Sequence, residues 1–185
     1  MTHKALADLG LEELKQYAPE QLQTHSVSAV LLALGSNYQA EKYLPYAREQ
    51  LAALGEIQLS TAFQNPDFTS TPELPKPDYT NQCVYLVLDT PISLQQLQQI
   101  FKQIESDCHR QRLTEAQTPI KEVTMDIDIL LIQTVFDKNS LSNKRISKKI
   151  AKSSNKWIIM ADRYPFKAHE TAGIEELAKE GSLKG

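Results

Sequence analysis

Met125-Asp126-Ile127-Asp128-Ile129-Leu130-Leu131-Ile132 is the stretch on which the reading of this chain turns. Apolar residues, several of them β-branched, surround two carboxylates, and the pattern predicts a β-strand. Side chains alternate faces along a strand, so Asp126 and Asp128 share one face, with Cα atoms roughly 6.5–7 Å apart. Two like charges on one face of an apolar strand repel each other and resist burial. A divalent cation beside them removes both difficulties. Magnesium suits the site best, because it takes carboxylate oxygens and often brings a phosphate substrate with it. The plain alternative is a wet sheet edge with no chemistry.

The elements on either side give the fold. Upstream, a polar loop over about residues 113–123 leads into the strand. Before it, Ser93 and Gln96 have capping-box spacing. Leu94, Leu97, Phe101, Ile104 and Cys108 then give a helix one apolar face. Cys83–Leu88 reads as a strand, preceded by a loop, Asn65–Asp78, that holds four prolines. A loop of that length is usually functional or mobile. Ile57–Phe63 reads as another strand. Leu44, Ala47, Leu51 and Leu54 predict a helix from about Glu41 to Leu54, closed by Gly55. Val30-Leu31-Leu32-Ala33-Leu34 reads as a buried strand ending in the turn Gly35-Ser36-Asn37. The order β-α-β-β-α-β predicts an α+β domain with a ferredoxin-like core, an antiparallel sheet with helices on one face.

Outside this core the signals are weaker. Residues 1–27 read as an N-terminal extension, with Leu6, Leu9, Leu14 and Tyr17 at helical spacing before Pro19; a helical flap and a disordered arm fit equally. A single domain then spans 28–185. Lys138–Lys156 carries seven lysines and arginines, which fits either solvated surface or phosphate binding. Trp157–Met160 is a candidate last strand and Ile174–Lys179 a candidate terminal helix.

Composition excludes several classes. Hydrophobic residues make up 41% and charged residues 23% of 185, as in a water-soluble globular domain. A net charge of −3 gives no general affinity for nucleic acid. Val30–Leu34 is too short to span a bilayer. Cys83 and Cys108 lie far apart without metal-ligand spacing and read as small buried hydrophobes. With no signal-peptide pattern or long apolar run, a reducing cytoplasm is expected; a monomer is expected as well. No Walker loop occurs, and His3, His25, His109 and His169 are scattered and read as surface.

The remaining polar residues point towards phosphate chemistry. Glu105 sits at the border of the second helix's apolar face, and Arg110 and Arg112 leave that helix's end. The arginines could simply complement the helix dipole. They could also converge with Asp126 and Asp128 if the helix packs beside the strand it feeds, an arrangement suited to a Mg-nucleotide. Phosphoryl transfer then rests on positioning and charge neutralisation, with no protein nucleophile. Tyr79 and Asn81 share a face at the start of the third strand. They offer an aromatic surface and an amide to a flat heterocycle, or else a turn and a core tyrosine.

Four segments in order carry a resemblance: Ala33-Leu34-Gly35-Ser36-Asn37, Pro77-Asp78-Tyr79-Thr80-Asn81, Ile104-Glu105 followed by Arg110-Gln111-Arg112, and Met125-Asp126-Ile127-Asp128-Ile129-Leu130. Over about residues 28–133 the chain resembles the 6-hydroxymethyl-7,8-dihydropterin pyrophosphokinase family of folate biosynthesis. The resemblance implies transfer of a diphosphate from ATP to the hydroxymethyl group of a pterin, with two magnesium ions held by Asp126 and Asp128. It implies that Glu105, Arg110 and Arg112 serve ATP, with Arg110 also catalytic; Lys121 is a further candidate for ATP binding, read from its charge. Gly35, Ser36, Pro66, Tyr79, Asn81 and Trp157 would serve the pterin.

The chain also departs from that family. An Arg-Trp-Gly-Pro-Arg-type segment before the Asp-x-Asp is replaced by Leu113–Thr124, in which only Lys121 offers a positive charge. In place of the later Pro-His and Arg-Gly-Phe motifs, Lys149 would replace the histidine and Trp157 the stacking phenylalanine. The proline-rich loop is longer than the family implies, and residues 1–27 have no counterpart. A second expectation follows: an impaired member that binds nucleotide, pterin or a protein partner without turnover.

Overall fold

The computed structural model describes residues 11, 14–112, 120–135 and 157–180. The candidate helix around Leu6 and Leu9, most of the loop before Asp126, and the basic run with Lys149 lie outside the described residues.

Strand β2 (Ser26–Ser36) is the centre of a seven-stranded sheet. It is flanked by β6 (Asp126–Thr134) and β5 (Tyr79–Ser93), both antiparallel to it. Beyond β5 lie β3 (Gly55–Leu59) and β4 (Phe63–Asn65), each paired with a different part of it. Beyond β6 lies β7 (Trp157–Met160), and β1 (Gln16–Tyr17) closes that edge, parallel to β7. The expected strand Ile57–Phe63 is therefore two strands. Buried Ser60 interrupts them, accepting the Cys83 N–H on its hydroxyl at 2.9 Å. Of the segment expected as an appendage, residues 14–27 are tied into this sheet through β1 and through Leu22, which is buried in the core.

Helices cover both faces, not one. Val30, Leu32 and Leu34 of β2 meet α1 (Ala40–Ala52) and α2 (Leu94–Asp107) in one core. Ala29, Leu31 and Ala33 face the opposite way, towards Ile174 and Leu177 of α3 (Ala168–Lys179). The expected terminal helix is thus longer, and it is a packing layer. Gly173 allows that contact: a Cβ there would come within 2.4 Å of Cys83 Sγ. A bulge at Leu130 resets the alternation of β6. Ile127 and Ile129 stay in the first core, whereas Leu130 and Leu131 belong to the second.

Candidate active site

Asp126 and Asp128 stand opposite Gly35 and Ala33 of β2, and β2 in turn sets those residues opposite Asn81 and Cys83 of β5. Asp126, Gly35 and Asn81 therefore form one rung on the α3 face, and Asp128, Ala33 and Cys83 the next. The period of the strands puts both carboxylates on the same side. Glycine keeps the first rung open, because a Cβ at Gly35 would sit 3.2 Å from Asn81 Oδ1. Asn65 of β4 lies opposite Tyr79, extending the surface further.

The end of α2 supplies the basic groups. His109, at φ 59°, turns the chain back, and the Arg110 N–H donates to the Glu105 carbonyl at 3.1 Å. Glu105 is buried and works as a bracket. Its Oε1 accepts the Ile127 N–H at 2.9 Å, on the edge of β6 that faces away from β2, and its Oε2 holds Arg112 Nη2 at 3.0 Å. Burial holds its carboxyl above the usual range, against the pull of that N–H and of Arg112. Arg112 also lies 4.0 Å from Asp126 Oδ1. Arg110 Nε is buried without a hydrogen-bond partner among the described residues, a donor left for a ligand.

Asp128 is the more enclosed carboxylate, with its side chain 15% exposed against 36% for Asp126. Burial first, then the charge of Asp126, pushes it up to about 6, even though Arg163 and Lys167 pull the other way. Arg163 Nη2 lies 2.7 Å from its Oδ1.

Two cavities open on these groups. One, of about 550 Å³, is lined by Glu105, Arg110, Arg112 and Arg163. The other, of about 690 Å³, is lined by Gly35, Pro66, Tyr79, Asn81 and the proline-rich loop, with Phe68 95% exposed at its side. Asp126, Asp128 and Lys121 line both. The expected phosphate-side residues thus gather on one side of the aspartates and most of the expected heterocycle-side residues on the other.

Two expected contacts are placed elsewhere. Ser36 is fully buried, and its hydroxyl donates to the Tyr38 and Val123 carbonyls. With Asn37, whose amide donates to the Lys121 carbonyl and accepts the Val123 N–H, it pins the segment carrying Lys121. Trp157 is packed against Tyr85 with ring centroids 5.7 Å apart, in the core beneath α3, and lines neither cavity. As a residue of a sheet-covered strand, it is drawn inward by its apolar area.

Other residues join without having been expected. His169, read as surface, lines the second cavity with Lys167 and Glu170, and burial pushes its imidazole below the usual value. Asn65 lines the same cavity, and its buried Nδ2 lacks a partner among the described residues. Arg163 sits in the 3-10 turn Ala161–Arg163. None of these belongs to a spaced motif, although Asn65-Pro66 at the loop start was a visible cue.

The donor set fits magnesium. Among the described residues no three or more histidine, cysteine, aspartate or glutamate side chains gather into a metal cage, so the aspartate pair stands alone. Magnesium accepts one or two carboxylates, keeps several waters and takes further oxygens from substrate phosphates. Calcium and zinc ask for more protein ligands.

No curated protein matches the chain. A family model described as 7,8-dihydro-6-hydroxymethylpterin-pyrophosphokinase (HPPK) matches residues 31–153, more than half of the chain, spanning both aspartates, Arg110, Arg112 and the tyrosine-asparagine strand. The chain belongs to this pyrophosphokinase family of folate biosynthesis.

Proposed function

We propose that this chain transfers diphosphate from ATP to the hydroxymethyl group of 6-hydroxymethyl-7,8-dihydropterin. The observation that carries the proposal is that Asp126 and Asp128 line both cavities, one rich in arginine and the other in aromatic and amide groups. A bisubstrate transfer needs its reacting atoms at such a junction.

In this reading the triphosphate lies along Arg110, Arg112 and Lys121, with Arg110 Nε and the Arg112 fork on phosphate oxygens. Glu105 acts on the nucleotide through Arg112, by fixing its guanidinium. Two magnesium ions on Asp126 and Asp128 would neutralise phosphate charge and favour an in-line displacement. Tyr79 offers its ring to the pterin, while the Asn65 and Asn81 amides offer donors and acceptors to its edge. The pterin hydroxyl oxygen bonds to the β-phosphorus as the bond to the α,β-bridging oxygen breaks. AMP leaves with that electron pair, and the hydroxyl proton passes to solvent. We further read the core as ferredoxin-like, supported by chain order β2-α1-β3-β5-α2-β6 and sheet order β6-β2-β5-β3. The reading has the chain act as a cytoplasmic monomer. Among the described residues no helix is long and apolar enough to cross a membrane.

The test is AMP formation from Mg-ATP and the hydroxymethylpterin. Asp126→Ala and Asp128→Ala should each lower it by about 10³-fold or more with the fold retained. Full activity in both variants would reject the assignment. The burial of Trp157, which leaves its ring unavailable for stacking on the pterin, favours a second reading: an impaired member that binds nucleotide without AMP release.

A further inference from the structure

Each aspartate faces its own arginine. Arg112 stands 4.0 Å from Asp126, and Arg163 stands 2.7 Å from Asp128. Arg112 comes from the end of α2, whereas Arg163 comes from the turn after β7. The two guanidinium groups therefore approach the aspartate pair from different elements, and both line the first cavity. Arg163 is 43% exposed, with Asp162 3.8 Å away as its only other ion-pair partner among the described residues.

A divalent cation on Asp128 would weaken this pair. A carboxylate oxygen engaged with such an ion gives much less to a guanidinium, and the ion repels it. A nearby anion then competes with Asp128 for Arg163. Its fork of five donors lies in the cavity assigned to the triphosphate, beside the position where phosphate oxygens meet the metal. Guanidinium-phosphate pairing is among the strongest hydrogen-bonded contacts available to it.

We propose that Arg163 is a phosphate-contacting residue of the nucleotide site, held on Asp128 in the free protein and transferred to the β- or γ-phosphate when the Mg-nucleotide enters. This rests on the pyrophosphokinase reading above. The competing role is a fixed counter-ion that serves only Asp128.

The two roles differ in sign. Removing a counter-ion frees Asp128 for metal, so both the metal and the Mg-nucleotide should bind more tightly. Removing a phosphate contact should weaken the Mg-nucleotide while leaving metal binding unchanged or tightened. The experiment is calorimetric titration of wild type, Arg163→Gln and Arg163→Lys with Mg²⁺ alone, with Mg-α,β-methylene-ATP, and with AMP. Circular dichroism melts would confirm that the variants fold. We expect Arg163→Gln to bind the Mg-triphosphate analogue about tenfold or more weakly. Its Mg²⁺ affinity should be equal or higher and its AMP affinity unchanged, with Arg163→Lys between wild type and Gln for the analogue. Binding of the analogue by Arg163→Gln as tightly as by wild type overturns the proposal and leaves the pyrophosphokinase reading standing. Failure of wild type itself to bind the analogue overturns both.

Discussion

Replacing Asp128 with asparagine should make the metal-free protein more stable at neutral pH while removing its activity. The carboxyl is pushed up to about 6 in the folded chain, from an ordinary value of 3.8. That difference of about 2 units corresponds to about 3 kcal/mol between the charged and neutral forms. A raised folded-state value means that the folded chain holds the proton more tightly than the unfolded chain does. The resulting stability is fully present below about pH 4 and is lost as the pH rises through about 6. At pH 7.5 the ionised group therefore works against folding. Asparagine has nearly the shape of the neutral acid and no charge to desolvate. Arg163 loses its partner, but at 43% exposure it rehydrates at small cost. The net expectation is a gain of about 1–3 kcal/mol, or several degrees in Tm for a chain of this size. Urea denaturation in EDTA at pH 7.5 and at pH 5 reads it, and the gain should shrink at the lower pH. Magnesium with an ATP analogue should then raise the Tm of wild type and not of the variant. A variant less stable than wild type at pH 7.5 in EDTA would refute the reasoning. It would show that the Asp128–Arg163 pair is a net structural bridge and that the charge is not kept for a ligand.

Two further expectations concern the groups that hold the site in place. Glu105→Ala should cost about 2–4 kcal/mol in denaturant melts, because it leaves the buried Ile127 N–H without its acceptor and takes from Arg112 its nearer carboxylate; Glu105→Gln, which keeps an acceptor for that N–H, should cost less than about 1 kcal/mol. Equal losses in the two variants would show that the buried acceptor is not what matters. Gly173→Ala should destabilise by about 1–3 kcal/mol despite alanine's better helix propensity, since its Cβ would press on Cys83 and lift α3 from the sheet; a stabilised variant would place that helix farther from β5.

What the sequence made legible followed from local periodicity. The spacing of Asp126 and Asp128 settles that they share a face whatever the rest of the chain does, and the capping box at Ser93 with the apolar stripe after it settles α2. Layering was less accessible, although one cue lay in the open. The run Val30–Leu34 has no alternation at all, and an unbroken apolar strand asks for cover on both faces, which α3 provides. Ser36 and Trp157 show a second limit: residue type fits both a substrate contact and a buried support, and only the tertiary neighbours decide. Arg163 shows a third. Its contact with Asp128 crosses from the turn after β7 to the start of β6, where the two strands no longer pair, so neither strand spacing nor helix spacing relates the residues. Chemistry confined to one element can be read from its period. Chemistry built between elements depends on register, and here it is register that sets Gly35 and Asn81 beside one aspartate, while the turn after β7 brings Arg163 to the other.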